Sequence, residues 1–167
     1  MLKIYYLIKN TLSVKIILNR LTGVRLKEIS CFLEQNLSNS FNINICSMDC
    51  CNISKDNEDI CLYGGEIKKI LNDYCKWYVF RNSKFSLQLS EFPYCVMDEF
   101  SIIFCKPMLN KKQFAFLGRN NAKIQYNINY DCNTILEECN QCKMKKICNG
   151  IWSSNIKYFT SECKGWK

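Results

Sequence analysis

Thirteen cysteines and no histidine in one chain narrow what it can be more than any other feature. Without histidine, a zinc site has only thiolates and carboxylates to draw on, and serine or cysteine catalysis through an imidazole base is excluded. The odd cysteine count argues against a secreted disulfide framework, which favours even numbers. In a reducing compartment, closely spaced thiols are more often ligands for a metal or a cluster.

One close spacing lies in Cys139 to Gly150, which reads CNQCKMKKICNG, a C-x2-C-x5-C element with a glycine two residues after its last cysteine. A turn between two cysteines that are three positions apart can aim both sulfurs to one side, and the third can close the same site one turn later. Zinc would take four such sulfurs as a tetrahedron. A 4Fe-4S cluster would take four as well, one per iron. Spacing leaves both open. The fourth ligand must come from elsewhere: Cys95 stands first, because it follows Pro93 where a strand-end loop would project it, with Cys132 and Cys163 as the alternatives. A second group, CSMDCC from Cys46 to Cys51, begins C-x3-C, but the next cysteine of a C-x3-C-x2-C pattern would fall at Ile53. Packed thiols are the expectation there.

Hydrophobic periodicity divides the chain in two. Residues 14 to 19, VKIILN, read as a buried strand, and LTGVRLKEISCFLEQNL as a helix with Leu26, Ile29, Leu33 and Leu37 on one stripe, Phe32 beside them, and Thr22 as N-cap. FNINIC at 41 to 46 alternates as a half-buried strand. GGEIKKILNDYCKWYVF then sets Ile67, Ile70, Leu71, Tyr74 and Tyr78 on one helix face, and FSLQLS at 85 to 90 alternates again. Strand, helix, strand, helix, strand implies two β-α-β crossovers and hence parallel strands. Three strands cannot close a barrel, so the α/β expectation for residues 1–92 is a small open sheet or the last part of a larger α/β architecture.

Residues 93–167 hold seven of the cysteines and few regular runs, with short strands expected only at 113 to 118 and 123 to 128. A segment this irregular calls for a staple, and metal ligation supplies one.

Charge and hydropathy set the surroundings. Composition is 48% apolar and 23% charged, as in globular chains. No run reaches the ~18 apolar residues of a membrane span; the N-terminal MLKIYYLIKNTLSVKIIL is broken by Lys3, Lys9, Asn10 and Lys15. A soluble, cytoplasmic protein is expected. The net charge of +8 is spread from Lys3 to Lys167 rather than gathered on one stretch, which fits a solvated surface better than a nucleic-acid patch.

Taken in order, these segments resemble the C-terminal part of a radical S-adenosylmethionine protein with a SPASM or twitch type auxiliary-cluster region. VKIILNRLTGVRLKEISCFLEQ is similar to a late barrel strand and its helix, FNINICSMDCCNISKDN to the next strand and loop, and EIKKILNDYC with FSLQLSEFPYC to the closing helix and strand. CNQCKMKKICNGIW is similar to the family's C-x2-C-x5-C-x-G-I-W tail. The resemblance makes residues 1–92 a partial, C-terminal βα-barrel segment. It implies an auxiliary 4Fe-4S cluster on Cys95, Cys139, Cys142 and Cys148, a cofactor contact at Asn19 and Arg20, and a role in binding a peptide substrate or relaying electrons. It departs at Asn155, where the family has tyrosine, and at Thr160, where it has glycine.

The larger departure is the absence of C-x3-C-x2-C, which binds the reactive cluster in that family. The implied protein is therefore a fragment, split half or degenerate member that does not cleave S-adenosylmethionine by itself, and needs a complementing N-terminal half to use that cofactor. Two other classes stay open on the residues alone: a zinc-stapled interaction module, and a nucleic-acid-binding protein with a zinc-thiolate knuckle. Glu137 and Glu138, beside Cys139, read as solvated carboxylates.

Overall fold

The computed structural model describes residues 12–37, 40–50, 55–105, 114–117, 123–126, 133–134, 136–148 and 150–159. Strand β1 (Leu12–Leu18) leads into a one-turn helix α1 (Arg20–Gly23) and then α2 (Leu26–Asn36). Strand β2 (Phe41–Ser47), a 3₁₀ turn (Lys55–Ile60), the long helix α3 (Gly64–Arg81) and strand β3 (Ser86–Ser90) follow. The three strands form one parallel sheet in the order β1-β2-β3. Each crossover carries a helix, as the periodicity requires.

The register explains the alternation in the sequence. Val14, Ile43 and Leu87 share one row, and Ile16, Ile45 and Leu89 the next. Ile43, Ile45 and Leu89 are fully buried, in one core with Leu26 of α2 and Ile67, Leu71, Tyr74 and Cys75 of α3. A fully buried Leu or Ile contributes about 1.5–3 kcal/mol of transfer free energy, so this apolar face dominates the stability of the sheet. Ser30, also in the core, is satisfied by Leu26 O at 2.8 Å and the Tyr74 hydroxyl at 2.6 Å. Phe32, placed beside the stripe, points to solvent at 63% exposure: at i+6 from Leu26 it lies off the stripe.

The other face of the sheet is polar. Its rows are Ser13–Asn42–Ser86, Lys15–Asn44–Gln88 and Ile17–Cys46–Ser90. Asn42 donates to Ser13 Oγ and accepts from Ser86 Oγ, both at 3.0 Å, and Ser90 Oγ donates to Asn44 Oδ1 at 2.8 Å.

The first helix begins differently from expectation. Asn19, not Thr22, is the N-cap: its Oδ1 accepts the Leu21 and Thr22 amides, both at 2.9 Å. Thr22 sits at the third helical position, where its Oγ1 takes the Asn19 amide at 3.0 Å and completes a capping box. A new turn at Val24–Arg25 then separates α1 from α2.

Past β3 the chain makes 3₁₀ turns at Tyr94–Val96 and Ser101–Phe104, and Cys105 meets Leu89 in an isolated parallel bridge. The two expected short strands are present as an antiparallel pair, β4 (Phe114–Leu117) and β5 (Lys123–Tyr126). A two-residue ladder joins β6 (Asn133–Thr134) to β7 (Ile151–Trp152), and the one-turn helix α4 (Ile156–Phe159) ends the described chain. Ile151, Tyr158 and Phe159 enter the same core as the sheet. Among the described residues, no helix is long and apolar enough to cross a membrane.

Candidate functional site: a four-cysteine pocket

Beyond Ser90 the chain reverses through Glu91, whose φ of 66° is left-handed, a conformation that non-glycine residues hold only when surrounding structure imposes it. Lys15 faces the Glu91 carboxylate at 3.6 Å. Phe92 is buried in the core, Pro93 opens the next 3₁₀ turn, and Cys95 is thereby carried to a pocket wall.

The tail arrives at the same pocket through consecutive tight turns. The Cys139 amide donates to Leu136 O at 3.0 Å, the Cys142 amide to Cys139 O at 3.1 Å, the Lys145 amide to Cys142 O at 3.1 Å and the Cys148 amide to Met144 O at 2.8 Å. These turns bring Cys139, Cys142 and Cys148 together with Cys95, alongside Pro93, Tyr94, Lys145, Gly150 and Ile151, around one small pocket. Gly150 has φ 74°, a value that glycine adopts without strain, and its position on the wall brings bare backbone to the cavity.

Cys148 is set up as an acceptor. Its sulfur receives the Tyr94 amide at 3.4 Å and the Gly150 amide at 3.5 Å. Burial pushes the Cys148 thiol up, the two amides oppose that, and the neighbouring Cys95 and Cys142 add to it. Burial likewise raises the Cys139 thiol, with the Leu136 backbone opposing and Cys95, Cys148 and Cys142 reinforcing. Cys139 and Cys148 each feel the neighbouring thiols of the pocket as like charges, the arrangement that a bound cation relieves. Behind the pocket, burial and then Cys148 push the Cys105 thiol up to about 12. Lys145 brings a cation to the rim and donates to Asn140 Oδ1 at 2.9 Å.

No group of three or more Cys, Asp or Glu side chains among the described residues is arranged to hold a single metal ion. The four sulfurs share one pocket.

The other candidates lie elsewhere. Asn19 is occupied by its cap, and the Arg20 guanidinium donates to Cys61 O at 3.1 Å and pairs with Glu66 at 3.0 Å. Glu137 and Glu138 are exposed. Cys132, Cys163, Cys51 and Thr160 lie outside the described residues.

Sequence reasoning missed Asn155. It is 2% exposed; its Oδ1 accepts the Cys50 amide at 2.9 Å and its Nδ2 donates to Met48 O at 2.6 Å. This amide fastens the end of the cysteine tail to the loop after β2. Its only signal in the sequence is that it stands where the resemblance expects tyrosine. Compared with known proteins, the chain matches no family model, and neither a curated protein nor a solved structure matches it significantly.

Proposed function

We propose that the chain is the auxiliary-cluster part of a radical S-adenosylmethionine-type protein, holding one 4Fe-4S cluster on Cys95, Cys139, Cys142 and Cys148. The observation that carries this reading is the shared pocket, in which Cys148 already accepts two backbone amides. Hydrogen bonds to ligand sulfur are a main means by which proteins tune cluster potentials. The resemblance favours a cluster over zinc. Four thiolates on one zinc stand about 3.8 Å apart, given a Zn–S distance of about 2.3 Å, whereas a cluster assigns each thiolate its own iron. When bound, such a cluster supplies one-electron transfer or a coordination position. The residues themselves supply the ligand set, the amide donors and the Lys145 cation.

The sheet supports the partial-barrel side of the proposal. Parallel sheets ordinarily bury two apolar faces. Here one face is apolar and the other carries serine, asparagine, glutamine and lysine, which suits it to line a polar cavity rather than to pack under an apolar layer. Among the described residues no strand pairs with the outer edge of β1. That edge would accept a complementing half carrying the C-x3-C-x2-C motif that this sequence lacks, and a peptide is the substrate class in view. Alone, the chain does not cleave S-adenosylmethionine.

Anaerobic purification with iron, sulfide and zinc analysis tests the proposal. Brown protein with about four irons and four sulfides per chain, lost in the Cys139→Ala/Cys142→Ala variant, is the expected result. Colourless protein with one zinc would replace it with the zinc-stapled module.

A further inference from the structure

Away from the cysteine pocket, a second pair of thiols has been brought together. Cys50 closes the described loop after β2, and Cys61 lies between the 3₁₀ turn and α3; their sulfurs are 3.2 Å apart. Cys61 is 1% exposed, while Cys50 is half-buried. Both backbones are held from outside the pair. Asn155 takes the Cys50 amide at 2.9 Å, and the Arg20 guanidinium donates to Cys61 O at 3.1 Å. The Tyr158 side chain hydrogen-bonds to Cys61 as well.

The separation decides which chemistry the pair suits. It is shorter than the about 3.8 Å between thiolates on one zinc, and one ångström-scale shift from the about 2.0 Å of a disulfide. We propose that Cys50 and Cys61 form a reversible redox site, closing to a disulfide by exchange with a small oxidised disulfide such as glutathione disulfide. Cys50, the more exposed, loses its proton and attacks one sulfur of the oxidant, which releases one glutathione thiolate and leaves a mixed disulfide on Cys50. Cys61 then loses its proton and attacks the Cys50 sulfur, expelling the second glutathione. The two protein thiols are oxidised, the oxidant is reduced to two thiols, and the two protons pass to the released thiolates. The new bond would tie the Met48–Cys50 loop to the entry of α3, beside the Ser153–Phe159 segment that Asn155 and Tyr158 anchor there.

Closure should be slow at neutral pH. Burial, followed by the Cys61 hydrogen bond, pushes the Cys50 thiol up to about 12, and only the thiolate attacks. The rate should therefore rise about tenfold for each pH unit across the mildly alkaline range.

This proposal does not depend on what the four-cysteine pocket holds. The test incubates the full chain anaerobically with glutathione disulfide, blocks remaining thiols by alkylation and maps disulfide-linked peptides by fragmentation mass spectrometry. Expected are a Cys50–Cys61 link in the wild type and in Cys51→Ser, its absence in Cys61→Ser, and a yield severalfold lower when the wild type is oxidised in urea. Recovery of Cys61 as a free thiol beside glutathionylated Cys50, a link from Cys61 to Cys51 or any other cysteine, or equal yield in urea would each overturn the proposal.

Discussion

The parallel-sheet unit and the cysteine tail are held together by different forces. From Ile16 to Met97 the chain buries an almost continuous set of apolar side chains, with Ile43, Ile45, Leu71, Cys75 and Leu89 at 0% exposure. Among the described residues between Leu136 and Phe159, the buried apolar ones are Ile151, Tyr158 and Phe159, and the local structure is a string of tight turns. Burial at roughly 25 cal/mol per Å² can carry the first region. It is too sparse to carry the second by itself, and that region adds tight turns and polar clamps to the sheet. One core therefore serves both regions, with the tail as its dependent.

The largest effect should come from the pocket. With the proposed cluster on the pocket, replacing Cys139 and Cys142 by serine should abolish its binding and unlatch residues 136–150, while the sheet, which contains neither, keeps its fold. Hydrogen exchange read by mass spectrometry checks this: protection should vanish across the tail and survive in β2 and α3. Equal loss in both regions would mean that the sheet depends on the tail.

Cutting into the sheet should give the opposite signature. Leu89 is fully buried in the β3 row beside Ile45, and Leu89→Ala should cost about 3 kcal/mol, mostly as an unfilled cavity. Because the tail's Ile151 and Phe159 share that core, both regions should lose protection together in urea titrations. The asymmetry between the two variants is the comparison in measurable form.

Asn155 sits at the seam. Removing its amide leaves the Cys50 N–H and the Met48 carbonyl without their buried partner, and Asn155→Ala should cost about 2 kcal/mol. Most of that should show as faster exchange at Ser153–Phe159 and at Met48–Cys50, with β1 unaffected. Uniform destabilisation would show that the clamp belongs to the global core.

How much of this was readable in advance follows from the same physics. The parallel order was legible because alternation in β2 and β3, separated by the Ile67–Leu71–Tyr74 stripe, admits few other topologies. Four cysteines that line one pocket could be picked out because spacing and the Phe-Pro-Tyr-Cys corner are local signals. Asn155, Asn19 and the Cys50–Cys61 contact were not legible. Asn155 and Cys61 act on groups 105 and 11 residues away, and no local pattern encodes such pairings. Thr22 looked like a cap because its residue type suits one; Asn19 won because its carboxamide oxygen reaches two amides at once. The amides of Tyr94 and Gly150 that meet Cys148 are backbone groups, which every sequence possesses and none advertises.

The smallest expected effect lies at Asp98, where the chain leaves the sheet for the tail. Its carboxylate accepts the Ser101 amide and the Ser101 hydroxyl, both at 2.6 Å. Burial by itself would raise the Asp98 pKa, but the Ser101 side-chain and backbone donors, with Lys76, outweigh it and hold the carboxyl below its ordinary value. A carboxylate with a depressed folded-state pKa stabilises the fold above its unfolded pKa of about 3.9. That contribution is lost as pH falls through the lower, folded value. Asp98→Asn keeps an oxygen to accept from Ser101 but removes the titration, so urea midpoints followed by far-UV circular dichroism should fall less steeply in the variant from about pH 4 downward. An unchanged acid limb would place the acid sensitivity elsewhere in the sheet. A limb flattened only in tail exchange would move Asp98 to the tail's side of the seam.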